Sequence, residues 1–193
     1  NPTHVGAIFD DGTTALGGAF DIYVSGKYAY VAGLYDDGVE ILDISDPANP
    51  AHVGAIFDDG TTALAGASNI YVSGKYAYVT SWGDNGVEIL DISDPANPAH
   101  VGAIFDDGTT ALDDASSIYV SGKYAYVASY SDNGVEILDI SDPANPAHVG
   151  AIFDDGTTAL DGARGIYVSG AYAYVASYSD GMEILDISDP ANP

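Results

Sequence analysis

The string GVEILDISDPANP occupies Gly38–Pro50, recurs at Gly86–Pro98 and Gly134–Pro146, and returns as GMEILDISDPANP at Gly181–Pro193. Its first half is apolar and rich in β-branched residues, as a strand requires. Its second half is a turn cluster: proline cannot donate to a ladder, and Asp and Asn bond their own backbone. Working outward, HVGAIFDDGTTAL starts at His4, His52, His100 and His148, spaced 48 residues apart each time. SGKYAYV starts at Ser25, Ser73 and Ser121, and SGAYAYV at Ser169. The fourth copy is one residue short, because Ser179-Asp180-Gly181 stands for Ser131-Asp132-Asn133-Gly134. A period of 48 is the mark of a repeat architecture.

Each unit carries four strand signals and no helix signal: IYVSG, KYAYVAGLY, GVEILDIS and AHVGAIFDD, starting at Ile22, Lys27, Gly38 and Ala51 in the first copy. Ser-Gly and Asp-Asn-Gly between them are hairpin-type turns. Apolar residues on both faces of the second and fourth strands predict sheets sandwiched between other sheets. Four antiparallel strands repeated radially make a propeller blade. The expected fold is therefore all-β, a β-propeller of four-stranded antiparallel blades. A solenoid, the alternative, would need shorter coils and fits the DPANP joint poorly.

Named A to D from the axis outward, the strands put the blades at 22–59, 70–107, 118–155 and 166–188. The fourth lacks its D strand, and Thr3–Asp10 has the sequence of one. This is a three-plus-one closure that buries an open edge. Pairing of Thr3–Asp10 with Met182–Ser188 is expected, within the chain or between chains. A self-closed four-bladed ring, an eight-bladed ring of two chains and an open filament all remain open.

Composition removes whole classes of function. The 193 residues hold 4 Lys+Arg, 29 Asp+Glu and no cysteine, a formal charge of −25. That leaves no disulfide, thiolate metal site or cysteine nucleophile. Four scattered cations make no stripe for nucleic acid, and no apolar run is long enough to insert in a membrane as a helix. Such charge wants screening, as in a saline or calcium-containing exterior. An opening Asn1-Pro2 without Met fits a processed or excised chain.

The repeated string resembles the LVIVD repeat, a relative of YVTN-type propeller repeats. Val39, Ile41, Asp43, Ser45, Pro47 and Pro50 fall on its Leu-x-Ile-x-Asp-x-Ser-x-Pro-x-x-Pro pattern, with Val or Met182 for the leading Leu. The resemblance covers essentially the whole chain. It implies a propeller, often on archaeal and bacterial surfaces, and carries no catalytic residues over.

Differences between copies cluster in two places. One is GGAFD, AGASN, DDASS and DGARG, starting at 17, 65, 113 and 161; the other is the B-to-C turn around 32–37, 80–85, 128–133 and 176–180. In a propeller both emerge on one face, while the face made by SGKYA and SDPANP is nearly invariant. The variable face carries Tyr35, Trp82, Tyr130 and Tyr178 beside Asp37, Asp84, Asp132 and Asp180, candidates for stacking on sugars or filling a protein interface. Drift in tolerant loops, with the rings at the rim of the core, is the plainer alternative.

The pairs Asp10-Asp11, Asp58-Asp59, Asp106-Asp107 and Asp154-Asp155, each before Gly-Thr-Thr, offer hard oxygen ligands, and Ca2+ is the cofactor they would take. Acidic capping turns are the alternative. The four histidines lie on different blades and are expected to hydrogen-bond acids. Asp43, Asp91, Asp139 and Asp186 are expected to be buried in strand C. Glu40, Glu88, Glu136 and Glu183 suit a blade-building role better than a glycosidase dyad, since each recurs in every copy. The reading is a non-enzymatic extracellular or cell-surface protein, structural or adhesive, that self-associates or meets another surface protein or glycan; the alternative is a carbohydrate- or small-ligand-binding propeller.

Overall fold

The computed structural model describes residues 1–193, in fifteen strands and no helix. The first blade holds β1 (Ala19–Ser25), β2 (Tyr28–Gly33), β3 (Gly38–Asp43) and β4 (Ala51–Phe57). The second holds β5 (Ala67–Ser73), β6 (Tyr76–Ser81), β7 (Gly86–Asp91) and β8 (Ala99–Phe105). The third holds β9 (Ala115–Ser121), β10 (Tyr124–Ser129), β11 (Gly134–Asp139) and β12 (Ala147–Phe153). The last has only β13 (Ala163–Ser169), β14 (Tyr172–Ser177) and β15 (Gly181–Asp186). All pairings are antiparallel between consecutive strands. The inner strand starts three residues earlier than IYVSG suggests, because a register shift after Ala19 lets the preceding residues join the ladder.

The doubly buried strands are the second and third, not the second and fourth. β6 and β7 are buried along nearly their whole length, whereas β8 is half-exposed as the outermost strand. Three apolar clusters fill the blade-to-blade junctions. Tyr30, Val39 and Ile41 of the first blade meet Leu64, Ile70, Val72 and Leu90 of the second, and the same residues recur at the next two junctions. Each such side chain contributes about 1.5–3 kcal/mol when fully buried. Along the inner strands Tyr23, Tyr71, Tyr119 and Tyr167 stack in sequence, with ring centroids 5.0, 5.0 and 4.8 Å apart. Burial between its two neighbours pushes the Tyr71 hydroxyl up to about 12.

The ring does not close within one chain. β15 is an edge, and Thr3–Asp10 forms no ladder. Instead this segment lies along the flank of the first blade. Gly6 stands against the Pro47 and Ala48 carbonyls as Gly54 stands against those of Pro95 and Ala96, so a Cβ has no room at either glycine. The segment thus lies against the first blade as β4 lies against the second. Self-closure as a four-bladed propeller is corrected accordingly.

A glutamate ties each blade together. Glu40, Glu88 and Glu136 are fully buried. In each, Oε2 accepts the N–H of Ala15, Ala63 or Ala111, at 2.9 Å, in the connection leading to the inner strand. Oε1 meets Nδ1 of His52, His100 or His148 at 2.5–2.6 Å. A bulge supplies the geometry: the register skips between Ile41 and Leu42, so His52 rather than Val53 lies opposite Leu42, on the face that carries Glu40. Burial pushes the Glu88 and Glu136 carboxyls up, against the pull of the alanine N–H and the histidine. Asp43, Asp91 and Asp139 are the reverse of the expectation. They sit half-exposed at the end of the third strand and bond Lys27, Lys75 and Lys123 at 2.9–3.1 Å. The strand ends there, so the carboxylate reaches solvent rather than the next blade.

Glu88→Ala leaves the Ala63 N–H and His100 without a partner and should cost about 3 kcal/mol in urea unfolding. Glu88→Gln, which keeps an acceptor, should cost clearly less. Glu183→Ala, at a half-exposed site where the carboxylate accepts the Ala159 N–H and, at 3.3 Å, the Ile184 N–H but no histidine, should cost about 1 kcal/mol. Equal losses at Glu88 and Glu183 would contradict the buried-tie role.

Asp43, Asp91 and Asp139 are each held down at about 2, first by the following Ser45, Ser93 or Ser141 and then with help from the lysine. The folded value lies below the ordinary 3.8. Their contribution to stability is therefore complete above pH 3.8 and lost as pH falls toward 2. Carboxyl NMR titration should give midpoints near 2, and Ser93→Ala should raise that of Asp91 alone. Midpoints at the ordinary value would contradict the assignment.

Candidate functional site

The two variable loops of each blade share one face and hold each other. Asp36, Asp84, Asp132 and Asp180 in the B-to-C turns accept the N–H of Gly17, Ala65, Asp113 and Asp161 in the connections to the inner strands. Burial pushes the Asp132 carboxyl up despite that bond. Asp37 is the homologue of Asn85 and Asn133 rather than of Asp84. All three adopt φ near 52° and reach across to the next blade, where they accept the N–H of Gly66, Asp114 and Gly162. Asp37, Asp84, Asp132 and Asp180 are thus committed to backbone donors.

The candidate aromatics divide. Tyr35 is 79% exposed and lies over Gly18, away from the others. Trp82 packs edge-on to Phe20 at 4.9 Å, and its Nε1 is buried with no acceptor. Tyr130 and Tyr178 lie 6.3 Å apart. Trp82, Tyr130 and Tyr178 converge on Arg164, whose guanidinium is 5.8, 4.6 and 5.8 Å from their ring centres. Arg164, on β13, is the residue that sequence reasoning missed. It is the single arginine of the chain and sits in a variable cluster where other copies have Phe20, Ser68 and Ser116. With Trp82, Asp114, Ser116 and Tyr130 it lines a cavity of about 130 Å³. Such a cage could stack a planar ring or take one hydrogen-bond acceptor at the indole.

The Asp pairs are built as turns. Asp58 Oδ1 accepts from Gly60 N–H and Thr62 Oγ1, and Asp59 Oδ1 from Thr61 N–H and Oγ1. Asp10 and Asp11, Asp106 and Asp107, and Asp154 and Asp155 repeat the pattern. Thr61, Thr109 and Thr157 hold the second carboxyl of their pairs below the ordinary value. No three acidic or histidine side chains gather at any of these turns.

The larger concavities lie at the two ends of the arc. A trough of about 470 Å³ at the first blade is lined by Ile8, Phe9, Leu16, Phe20, Ile22 and Val31, among others. One of about 240 Å³ at the last blade is lined by Ile166, Tyr167, Tyr174, Val175 and Met182 with small residues.

The family model described as the LVIVD repeat matches residues 16–58, 66–106, 113–154 and 162–193. No curated protein sequence matches the chain. Among solved structures, a putative 6-phosphogluconolactonase from Bacteroides uniformis superimposes with a TM-score of 0.74 at 18% identity, covering 90% of this chain and 51% of that one. Kuenenia stuttgartiensis hydrazine synthase gives 0.71 at 20% identity, covering 95% and 51%. The computationally designed Ika4 protein gives 0.68 at 8% identity, covering 97% and 100%. At these identities the likeness is one of fold. The chain spans about half the length of the first two.

Because the Asp-Asp-Gly carboxylates already serve their own turns, millimolar calcium should raise the melting temperature no more than sodium chloride of equal ionic strength. A calcium-specific rise abolished by Asp58→Asn with Asp59→Asn would instead make these turns cation sites.

Proposed function

This chain belongs to the LVIVD-repeat family, and we propose that it is a non-enzymatic protein-interaction module, structural or adhesive, at the cell exterior. One observation carries the reading: the four copies differ chiefly in the loops and inner-strand starts of one face, while the SDPANP loops of the opposite face are unchanged. A frame kept constant under one diverging face suits that face to a partner. The buried glutamates are occupied by backbone and histidine, which speaks against acid–base chemistry at those positions. A charge of −25 favours a saline exterior.

The second reading, a carbohydrate- or small-ligand-binding face, is favoured by the cage of Trp82, Tyr130, Tyr178 and Arg164. The two readings separate in one experiment. Light scattering at micromolar concentration and physiological salt should find an assembly larger than one chain that Tyr130→Ala with Tyr178→Ala disperses without changing the β-sheet circular dichroism. Sugars should leave Trp82 emission unmoved. An assembly-free chain whose Trp82 is quenched by a sugar would reverse the order of the readings.

A further inference from the structure

Resting on the interaction reading above, we infer that the cavity beside Arg164 takes a carboxylate, carried on an acidic side chain of the partner protein. The chain has 4 Lys+Arg among 29 Asp+Glu. Lys27, Lys75 and Lys123 each hold an aspartate of their own blade. Arg164 makes no ion pair and donates no hydrogen bond within the chain; it rests over the rings of Trp82, Tyr130 and Tyr178. A guanidinium held over aromatic rings keeps its N–H donors for an acceptor, in a fork that matches the two oxygens of a carboxylate.

A second donor has the same need. Trp82 is a wall of this cavity, and its buried Nε1–H has no acceptor. A buried donor left unanswered is rare in native proteins, and an oxygen entering the cavity supplies the missing partner. Asp114, also in the wall, does not. Its Oδ2 accepts the Ser131 hydroxyl, and a left-handed backbone, φ 53°, holds it to its own loop.

The repeat shows how the site is assembled. Trp82, Tyr130 and Tyr178 occupy one position in successive blades, taken by Leu34 in the first. Arg164 occupies the inner-strand position of Phe20, Ser68 and Ser116. Phe20 uses that position to pack on Trp82 at 4.9 Å. Ser116 is too small to fill it; its hydroxyl turns back to the Asp114 carbonyl at 2.9 Å, and the space it leaves belongs to the cavity. The volume is about 130 Å³, against the roughly 300–1,000 Å³ of pockets that enclose whole small ligands. It admits one functional group, so the carboxylate arrives on a larger body that rests on the face around it. Trp, Tyr and Arg are the side chains that anchor protein partners. One cation on an acidic face also fixes where the partner's acid must come.

The single tryptophan and single arginine each give one side-chain N–H signal in a proton–nitrogen NMR spectrum. Sodium acetate should shift both saturably, and sodium chloride of equal ionic strength neither. A blocked Gly-Glu-Gly peptide should bind more tightly than acetate, because its flanks reach the surrounding rings. Read at Trp82, Arg164→Lys should weaken peptide binding about tenfold, since the fork is lost and the charge kept. Ser116→Phe, a side chain the fold already accepts at Phe20, should fill the cavity and abolish the shifts. Arg164→Gln, at an exposed position, should do the same and serves if Ser116→Phe does not fold. Equal shifts in chloride, shifts that survive these variants, or peptide binding no tighter than acetate would overturn the inference. Signals unmoved by either probe while light scattering still finds the assembly would overturn it and leave the interaction reading standing. Saturable shifts in a chain that scatters as one molecule would support the cavity and overturn that reading.

Discussion

Everything in this structure follows from the packing of one blade's apolar face on the next. β2 and β3, and their homologues in the second and third blades, are buried on both faces, so no blade can stand alone. Tandem repetition satisfies this at three junctions, and Ile8, Leu16 and Ile44 pack on Ala29, Val31 and Leu42 at the outer face of the first blade. Each side chain fully buried in this way is worth about 1.5–3 kcal/mol. Against a net stability of about 5–15 kcal/mol for a typical domain, that is not a minor term.

The polar interior is arranged around the same requirement. A buried carboxylate between stacked sheets is tolerable only if every lone pair of consequence is answered. The glutamate of each blade bonds the connection to the inner strand on one side and the outer strand's histidine on the other. It thereby couples strand order within the blade to the loop that places the inner strand at the axis. Where the histidine is missing, at Glu183, the outer strand is missing too. The variable face is held by a separate set of Asp and Asn side chains, which frees the inner-strand positions of Phe20, Ser68, Ser116 and Arg164 to differ without disturbing the blades.

Much of this was legible in the sequence because a 48-residue period repeats every signal four times. Strand type, turn positions, antiparallel order and the shared face of the variable loops all come from local pattern. Other features depend on information no single strand carries. Burial of Glu40 but not Asp43 depends on where β3 ends relative to the next blade, and both residues lie between apolar neighbours in the sequence. The doubly buried pair is displaced by one strand from what the pattern suggests, because the outer strand's Val53 and Ile56 look like core although only one of its sides is covered. Arg164 draws its meaning from Trp82, 82 residues away in sequence, and Tyr130 of the preceding blade. Ring closure depends on the rotation between blades, which identical repeats cannot express.

Amide hydrogen exchange tests most directly whether blade-on-blade packing holds the fold. The amides of Gly86–Asp91 and Gly134–Asp139, in strands buried on both faces, should exchange far more slowly than those of Ala99–Phe105 and Ala147–Phe153 in the half-exposed outer strands. Equal protection in the two sets would contradict it.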